Sequence, residues 1–250
     1  MPYGRCSFAT ERRPLARTTQ TVPTTNRLLD RLPARERAHL IAKCEAVELA
    51  LGENLAEPGG PIRDVYFPIA SFISLLKPMD GQHILEVAIA GNEGFYGMPV
   101  ALGVDVSPVL ALVQGGGSAL RMSAVAFRRE LASSPAIRDC IDRYTHVVMA
   151  QLIRTSGCNR FHVVEKRVAR WLLMTADRAH SSSFHITHEF LARMLGVRRV
   201  GITEAAGALQ GRSLIGYTRG ELTILDRKGL QLASCSCYRA DLATYAAALG

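Results

Sequence analysis

The sequence has no apolar run long enough to cross a bilayer: its longest stretches, such as Val147 to Ile153, fall far short of the roughly 18 residues that a spanning helix needs. No apolar segment follows the first basic residues either, so neither a membrane span nor a secretory signal is expected. Cysteine is sparse: Cys6, Cys44, Cys140, Cys158, Cys235 and Cys237 are scattered through 250 residues. That excludes a disulfide framework and points to free thiols in a reducing cytoplasm. Only Cys235-Ser236-Cys237 is closely spaced; it is not a Cys-x-x-Cys pattern, has no neighbouring partner pair, and is read as part of a plain C-terminal tail with no metal. Gly115-Gly116-Gly117 lacks the Lys-Ser/Thr that follows a phosphate loop and reads as a β-turn.

Composition is otherwise that of a folded chain, with 48% apolar and 21% charged residues, which excludes extended disorder outside the ends. The net charge of +8 is unevenly placed. Residues 1–25 carry four Arg against one Glu, residues 26–159 carry 13 bases against 14 acids, and residues 160–220 carry 10 bases against four acids. A basic block beside a larger neutral block suggests a polyanion-binding module attached to something else.

Periodicity divides the chain further. Residues 1–25, rich in Pro and Thr, show none and read as a flexible basic arm. Asn26 can cap a short helix over Arg27 to Leu32, and Pro33 restarts one with Leu40, Ile41 and Cys44 on its apolar stripe. Short β-type runs follow at Val47 to Leu51, Val65 to Phe67, Phe72 to Leu76, Ile84 to Ala90, Val109 to Val113 and Ala119 to Met122. Asp80-Gly81 between apolar runs is the strongest hairpin signal. Many short strands in residues 26–132 indicate an antiparallel jelly roll.

Helical period returns over residues 133–159, where Ile137, Ile141, Tyr144, Val148, Gln151 and Thr155 alternate by four and three. This heptad-like seam predicts a dimerisation helix, bent or ended by Gly157, with its wider apolar surface packed on the β-domain. Residues 160–232 form the next unit, opening with a helix over Val163 to Ala179. In it, Thr187 can cap a helix over Glu189 to Leu195, Gly196 suits a left-handed turn, and a second helix runs from Arg198 to Gln210. This is a helix-turn-helix, whose second helix presents Arg198, Arg199, Thr203 and Glu204 to base edges. Ile215 to Tyr217 and Leu222 to Leu225 then form a β-hairpin wing, placing Arg219 for phosphate. His185 and His188, at the helix start, could also touch phosphate. Residues 233–250 read as a C-terminal tail.

In order and spacing the chain resembles the Crp/Fnr superfamily of bacterial transcription regulators from Leu28 to Gln231. The resemblance rests on Leu28-Leu29-Asp30-Arg31-Leu32, Gly52-Glu53-Asn54-Leu55, Glu57-Pro58-Gly59, Val65-Tyr66-Phe67-Pro68, Asp80-Gly81, Gly91-Asn92-Glu93-Gly94-Phe95-Tyr96-Gly97, the long helix and the winged module. It implies an α+β protein: an N-terminal cyclic-nucleotide-binding-like jelly roll, a long dimerisation helix and a C-terminal winged helix-turn-helix. It also implies a homodimer on a palindromic duplex DNA operator, with RNA polymerase as a further candidate partner and no enzymatic activity. The effector pocket it implies comprises Gly91, Glu93, Gly94, Gly97, Met98, Ser107 and Arg121. Where cyclic-nucleotide-binding members carry a ribose-binding glutamate and a phosphate-binding Arg, this sequence has Met98 and Ser107-Pro108, so ordinary cyclic AMP sensing is not expected. Only Cys6 lies in the arm where cluster-bearing members place several cysteines, so no cofactor is assigned. Two rival readings remain: a regulatory subunit acting on protein partners, and a jelly-roll metal enzyme. The second needs a close His pair, and only His83 lies in the β-segment.

Overall fold

A computed structural model describes residues 25–80 and 83–250; the arm through residue 24 and Gly81 of the expected hairpin lie outside the described residues. Asn26 caps a 3-10 turn at Leu29–Arg31, its Oδ1 accepting from the N–H groups of Leu28 and Leu29, both at 3.1 Å. Its amide donates to the carbonyls of Pro68 and Gly94 at 2.8 and 2.9 Å, which ties the chain entry to the β-domain. Helix α1 (Ala34–Ala42) follows Pro33.

The β-domain comprises β1 (Glu45–Leu49), β2 (Asn54–Ala56), β3 (Asp64–Pro68), β4 (Phe72–Pro78), β5 (Ile84–Ala90), the short α2 (Met98–Ala101), β6 (Leu110–Gly115) and β7 (Gly117–Ser123). All pairings are antiparallel, in two sheets ordered β1-β7-β3 and β2-β6-β4-β5, as a jelly roll requires. The β4–β5 hairpin forms where expected: Pro78 pairs with Ile84, and the Met79 N–H donates to the His83 carbonyl at 2.9 Å. Three elements of this domain were not legible in the sequence: β2, the short α2 and helix α3 (Ala124–Ser133). α3 follows β7 without a loop, because Ser123 ends the strand and caps the helix by accepting from Ala126 N–H at 3.2 Å.

Helix α4 (Pro135–Phe161) begins with Ser134 as cap and Pro135 in its first turn. It continues past Gly157 to Phe161, so this glycine does not end the helix. The expected dimer seam needs correction. Ile137, Ile141, Tyr144 and Val148 are 1, 2, 4 and 5% exposed within this one chain and pack into its own β-domain core. Tyr144 joins an aromatic cluster there, its ring 5.4 Å from Phe95, which lies 5.5 Å from Phe127 and 5.6 Å from Phe67. Gln151 and Thr155 continue the same face, and Thr155 Oγ1 accepts from Arg170 at 3.1 Å. The large apolar residues that α4 leaves open are Met149, Leu152, Ile153 and Phe161.

The second unit comprises α5 (Val164–Ala179), β8 (Ser183–His185), α6 (His188–Leu195), α7 (Arg199–Gly211), β9 (Ile215–Thr218), β10 (Glu221–Ile224) and α8 (Arg227–Ala233). Its core gathers Val168, Leu172, Leu191, Ile202, Leu209 and Leu222, and includes Leu76 and Leu112 from the jelly roll. Residues 233–250 are not a plain tail, because Cys237–Leu249 forms helix α9 along α4. Arg154 of α4 pairs with Asp241 and donates to Thr244 at 3.1 Å, and the Tyr245 hydroxyl donates to the Glu93 carbonyl at 2.9 Å. The alanine-rich stretch has high helix propensity but little apolar–polar contrast, so its periodicity is faint.

Two buried polar contacts join the units. Arg178 of α5 pairs with Glu93 at 2.7 Å. Glu86 of β5 accepts from Ser74 Oγ at 2.7 Å and from Trp171 Nε1 of α5 at 2.6 Å. Burial pushes the Glu86 carboxyl up to about 7, against the opposing effects of those hydrogen bonds and of Arg178. Its folded-state pKa lies above the unfolded value, so its favourable contribution is complete below the unfolded pKa and is lost as pH rises through about 7. The shift corresponds to about 3 kcal/mol. Glu86→Gln should therefore match the wild type in denaturant unfolding under acidic conditions and exceed it by up to about 3 kcal/mol at alkaline pH. Equal pH dependence in the two proteins would exclude Glu86 as the titrating group.

Candidate nucleic-acid interface

The helix-turn-helix is built by local signals that the sequence displays. Thr187 accepts from the Phe190 N–H at 3.1 Å and caps α6. Gly196 ends α6 with φ +60°, a left-handed conformation that costs a residue bearing a Cβ about 1 kcal/mol or more. The turn then delivers Arg198, in extended conformation, as the residue before α7. Ile202, Ala205, Ala206 and Leu209 face inward, while Arg198, Arg199, Val200, Thr203, Glu204, Gly207 and Ala208 are exposed. Every DNA-contact residue named on the second helix thus lies on its open side.

Thr203 is already partly engaged. Its hydroxyl donates to the Arg199 carbonyl at 3.2 Å and pairs with His188 Nδ1 at 3.0 Å. The His188 ring stacks on Tyr217 at 4.6 Å and 22°, and the Tyr217 hydroxyl donates to the Ile186 carbonyl at 2.8 Å. Burial, and secondarily the Arg199 charge, hold His188 below its usual pKa, so it is neutral at pH 7. His188 therefore clamps the second helix to the wing, a role missed by the reading that gave it to phosphate. His185 is likewise occupied, by Glu221 at 2.8 Å.

The wing is a three-stranded sheet, β8-β10-β9, rather than a bare hairpin. Arg219 and Gly220 form its two-residue turn with φ +51° and +87°, the pair of positive values that a tight hairpin demands, and Arg219 is exposed at the tip. Charge pairing sorts the local cations. Arg193 is held by Glu189 at 3.0 Å and Arg212 by Glu165 at 2.9 Å. Among the described residues, Arg198, Arg199 and Arg219 have no carboxylate partner.

The residues expected to form an effector pocket divide into two sets. Gly97, Met98 and Ser107 line a cavity of about 110 Å³ between the jelly roll and α4, together with Leu75, Val87, Ile89, Phe95, Val148 and Leu152. Among the described residues, no Lys, Arg or His lines it. The other four do not line it. Glu93 is bound by Arg178, Gly91 lies against that Arg178 side chain, and Gly94 sits so close beneath Tyr144 that a Cβ would overlap the phenol. Arg121 of β7 is paired with Glu45 at 2.6 Å.

Comparison with known proteins bears on the same regions. The family model for the Crp-like helix-turn-helix domain matches residues 166–233. The fold is similar to that of the c-di-GMP-responsive global regulator CLP of Xanthomonas campestris, at 17% identity and TM-score 0.64 over 77% of this chain and 99% of that one. It is similar also to a CRP-family transcriptional regulator from Thermus thermophilus (15% identity, TM-score 0.63, 75% of this chain and 96% of that one). A third similar structure is FixK2 from Bradyrhizobium japonicum (13% identity, TM-score 0.59, 77% and 98%). No curated protein matches the chain significantly by sequence. No helix among the described residues is long and apolar enough to cross a membrane.

The Thr187 cap yields a direct test of this local architecture. Thr187→Ala should lower stability by about 1 kcal/mol in denaturant unfolding, and Thr187→Ser should restore most of it.

Proposed function

We propose that this chain, Crp/Fnr-type in its helix-turn-helix domain and in its fold, is a DNA-binding transcription regulator that acts as a two-fold homodimer. The observation that carries the reading is the arrangement of three unpaired cations, Arg198 and Arg199 at the exposed start of α7 and Arg219 at the wing tip. An unpaired guanidinium gives up no intramolecular ion pair when it meets DNA. At the start of a recognition helix it suits bidentate contact with guanine, whereas on a wing it suits phosphate. Thr203, with its hydroxyl directed inward, offers its methyl to a thymine, and Glu204 can accept from cytosine. Thr187, at the start of α6, is assigned to the backbone. Regulation, not catalysis, is the activity.

The exposed Met149 and Ile153 support dimerisation through α4, on a side of the helix that the jelly roll leaves uncovered. A two-fold dimer would set its two α7 helices in successive major grooves about 34 Å apart, on an inverted-repeat operator. The apolar cavity beside Met98 and Ser107 supports a neutral or apolar effector. A cyclic nucleotide there would bury its phosphate with no cation, so cyclic AMP and cyclic GMP should show no micromolar binding by calorimetry.

Variants separate the DNA roles. Arg199→Ala should cost about 1 to 3 kcal/mol on the specific site and relax the preference at one position per half-site. Arg219→Ala should weaken all duplexes alike and reduce the salt slope by about one. Base-by-base competition checks both, and a uniform loss with Arg199→Ala would remove that residue from readout. Met149→Asp with Ile153→Asp should yield a folded monomer in light scattering. Ile141→Asp with Val148→Asp should instead unfold the β-domain, because each charge would be buried there without a partner.

A further inference from the structure

We propose that Cys158, His162, Cys235 and Cys237 form a single-ion, tetrahedral metal site of the structural zinc class, joining the end of α4 to the α8–α9 junction. The sequence reading assigned no metal because Cys235-Ser236-Cys237 lacks a partner pair nearby. The fold supplies that pair from 77 residues upstream. Cys158 lies in the last turn of α4, and His162, four positions on, is the residue that caps the end of the helix, its N–H donating to the Cys158 carbonyl at 3.1 Å.

The geometry is that of one ion. The four ligand atoms all lie within 4.8 Å of one another, with Cys158 Sγ 3.6 Å from Cys235 Sγ and Cys237 Sγ 3.6 Å from His162 Nδ1. A tetrahedron with metal–sulfur bonds of about 2.3 Å and metal–nitrogen bonds of about 2.0 Å has edges of about 3.5 to 3.8 Å. A bridged iron–sulfur cluster distributes its ligands over two or more irons, and so spaces them more widely than is seen here. A Cys158–Cys235 disulfide would leave Cys237 and His162 without a role and would need the sulfurs at about 2.05 Å.

Burial and charge agree with this assignment. The three cysteines are 2, 4 and 6% exposed and form a cluster of their own, apart from both hydrophobic cores. Three thiolates and one neutral imidazole are a known structural zinc set. With a divalent ion they carry one net negative charge. Arg170, buried and bonded to Asp241 at 2.7 Å and to Thr155 at 3.1 Å, is close enough for its charge to act on Cys158 and can offset that negative charge. Binding releases the three thiol protons and leaves sulfur oxidation states unchanged, so no oxidant or reductant is needed.

The location gives the site a task. Only His162 and Val163 separate α4 from α5, the helix that carries the DNA-binding unit. An ion held by Cys158 and His162 on one side, and by Cys235 and Cys237 on the other, fixes α9 against α4 and sets the angle at which α5 departs.

The test uses the full chain, isolated without chelator from zinc-supplemented cells. Metal analysis should find about one zinc per chain, and exchange for cobalt should give the intense visible bands of tetrahedral cobalt with a thiolate-to-cobalt charge-transfer band. Cys235→Ser with Cys237→Ser should reduce the zinc to a tenth or less, whereas His162→Cys, which keeps four donors, should retain it with the cobalt bands shifted to longer wavelength. The wild-type cobalt spectrum requires no variant to fold. A wild type holding no more zinc than the double serine variant, with no thiolate charge-transfer band, would overturn the proposal. So would stoichiometric iron with acid-labile sulfide, or a Cys158–Cys235 disulfide found in freshly isolated protein.

Discussion

A single helix with more than one apolar side is the constraint on which this structure turns. α4 closes the jelly roll with Ile137, Ile141, Tyr144 and Val148, and receives α9 through Arg154 and its neighbours. It leaves Met149 and Ile153 to water and ends where α5 begins. Each of these faces uses residues that the others cannot share. Once the four core side chains are seated among Phe67, Phe95 and Phe127, the rotation of the helix about its axis is determined, and with it every other face. A change of one residue in register would rotate the helix by about 100°, moving Tyr144 out of the aromatic cluster.

The junction between the two units is tight and partly polar. Leu76 and Leu112 of the jelly roll belong to the same apolar cluster as the helix-turn-helix core, and a Cβ at Gly196 would lie 3.0 Å from Leu85 of β5. Into this contact are set the buried Arg178–Glu93 pair and the Glu86–Trp171 hydrogen bond. Buried ion pairs add little net stability, yet losing one partner costs about 3 to 5 kcal/mol, because the other charge is left uncompensated. Such contacts favour one relative placement of the units over near alternatives. Arg198, Arg199 and Arg219, on α7 and the wing, stay exposed to solvent beside this contact.

Legibility in the sequence followed the range of the interactions involved. The β-hairpins, the Thr187 cap, the Gly196 turn and the exposed cations of α7 are decided within a few residues, and all were readable. α4 was readable as a helix, but its four-three repeat could not say whether the partner was a sheet of the same chain or another copy. Alternation marks an apolar face and not what covers it. Helix α9 was hidden by its many alanines, and α3 by the lack of any loop after β7. Glu93 and Arg121 looked like pocket residues because of their place in a resembling pattern, whereas their partners, Arg178 and Glu45, are distant in sequence. The His188–Tyr217 stack and the Cys158–Cys235 approach depend on tertiary closure in the same way.

The chain contains one tryptophan, and it is Trp171. Its indole N–H is bonded to the one buried carboxyl at the junction that changes charge near neutrality. A protonated carboxyl quenches a neighbouring indole more strongly than a carboxylate, and separating the units would expose the ring to water. The tryptophan emission of the unmodified protein therefore originates from one place, the seam between the jelly roll and the helix-turn-helix unit. Its intensity should follow the proton on Glu86, and its wavelength should follow closure of the seam. The molecule thus carries its own optical gauge of domain contact, readable without a label while DNA or a small molecule is added.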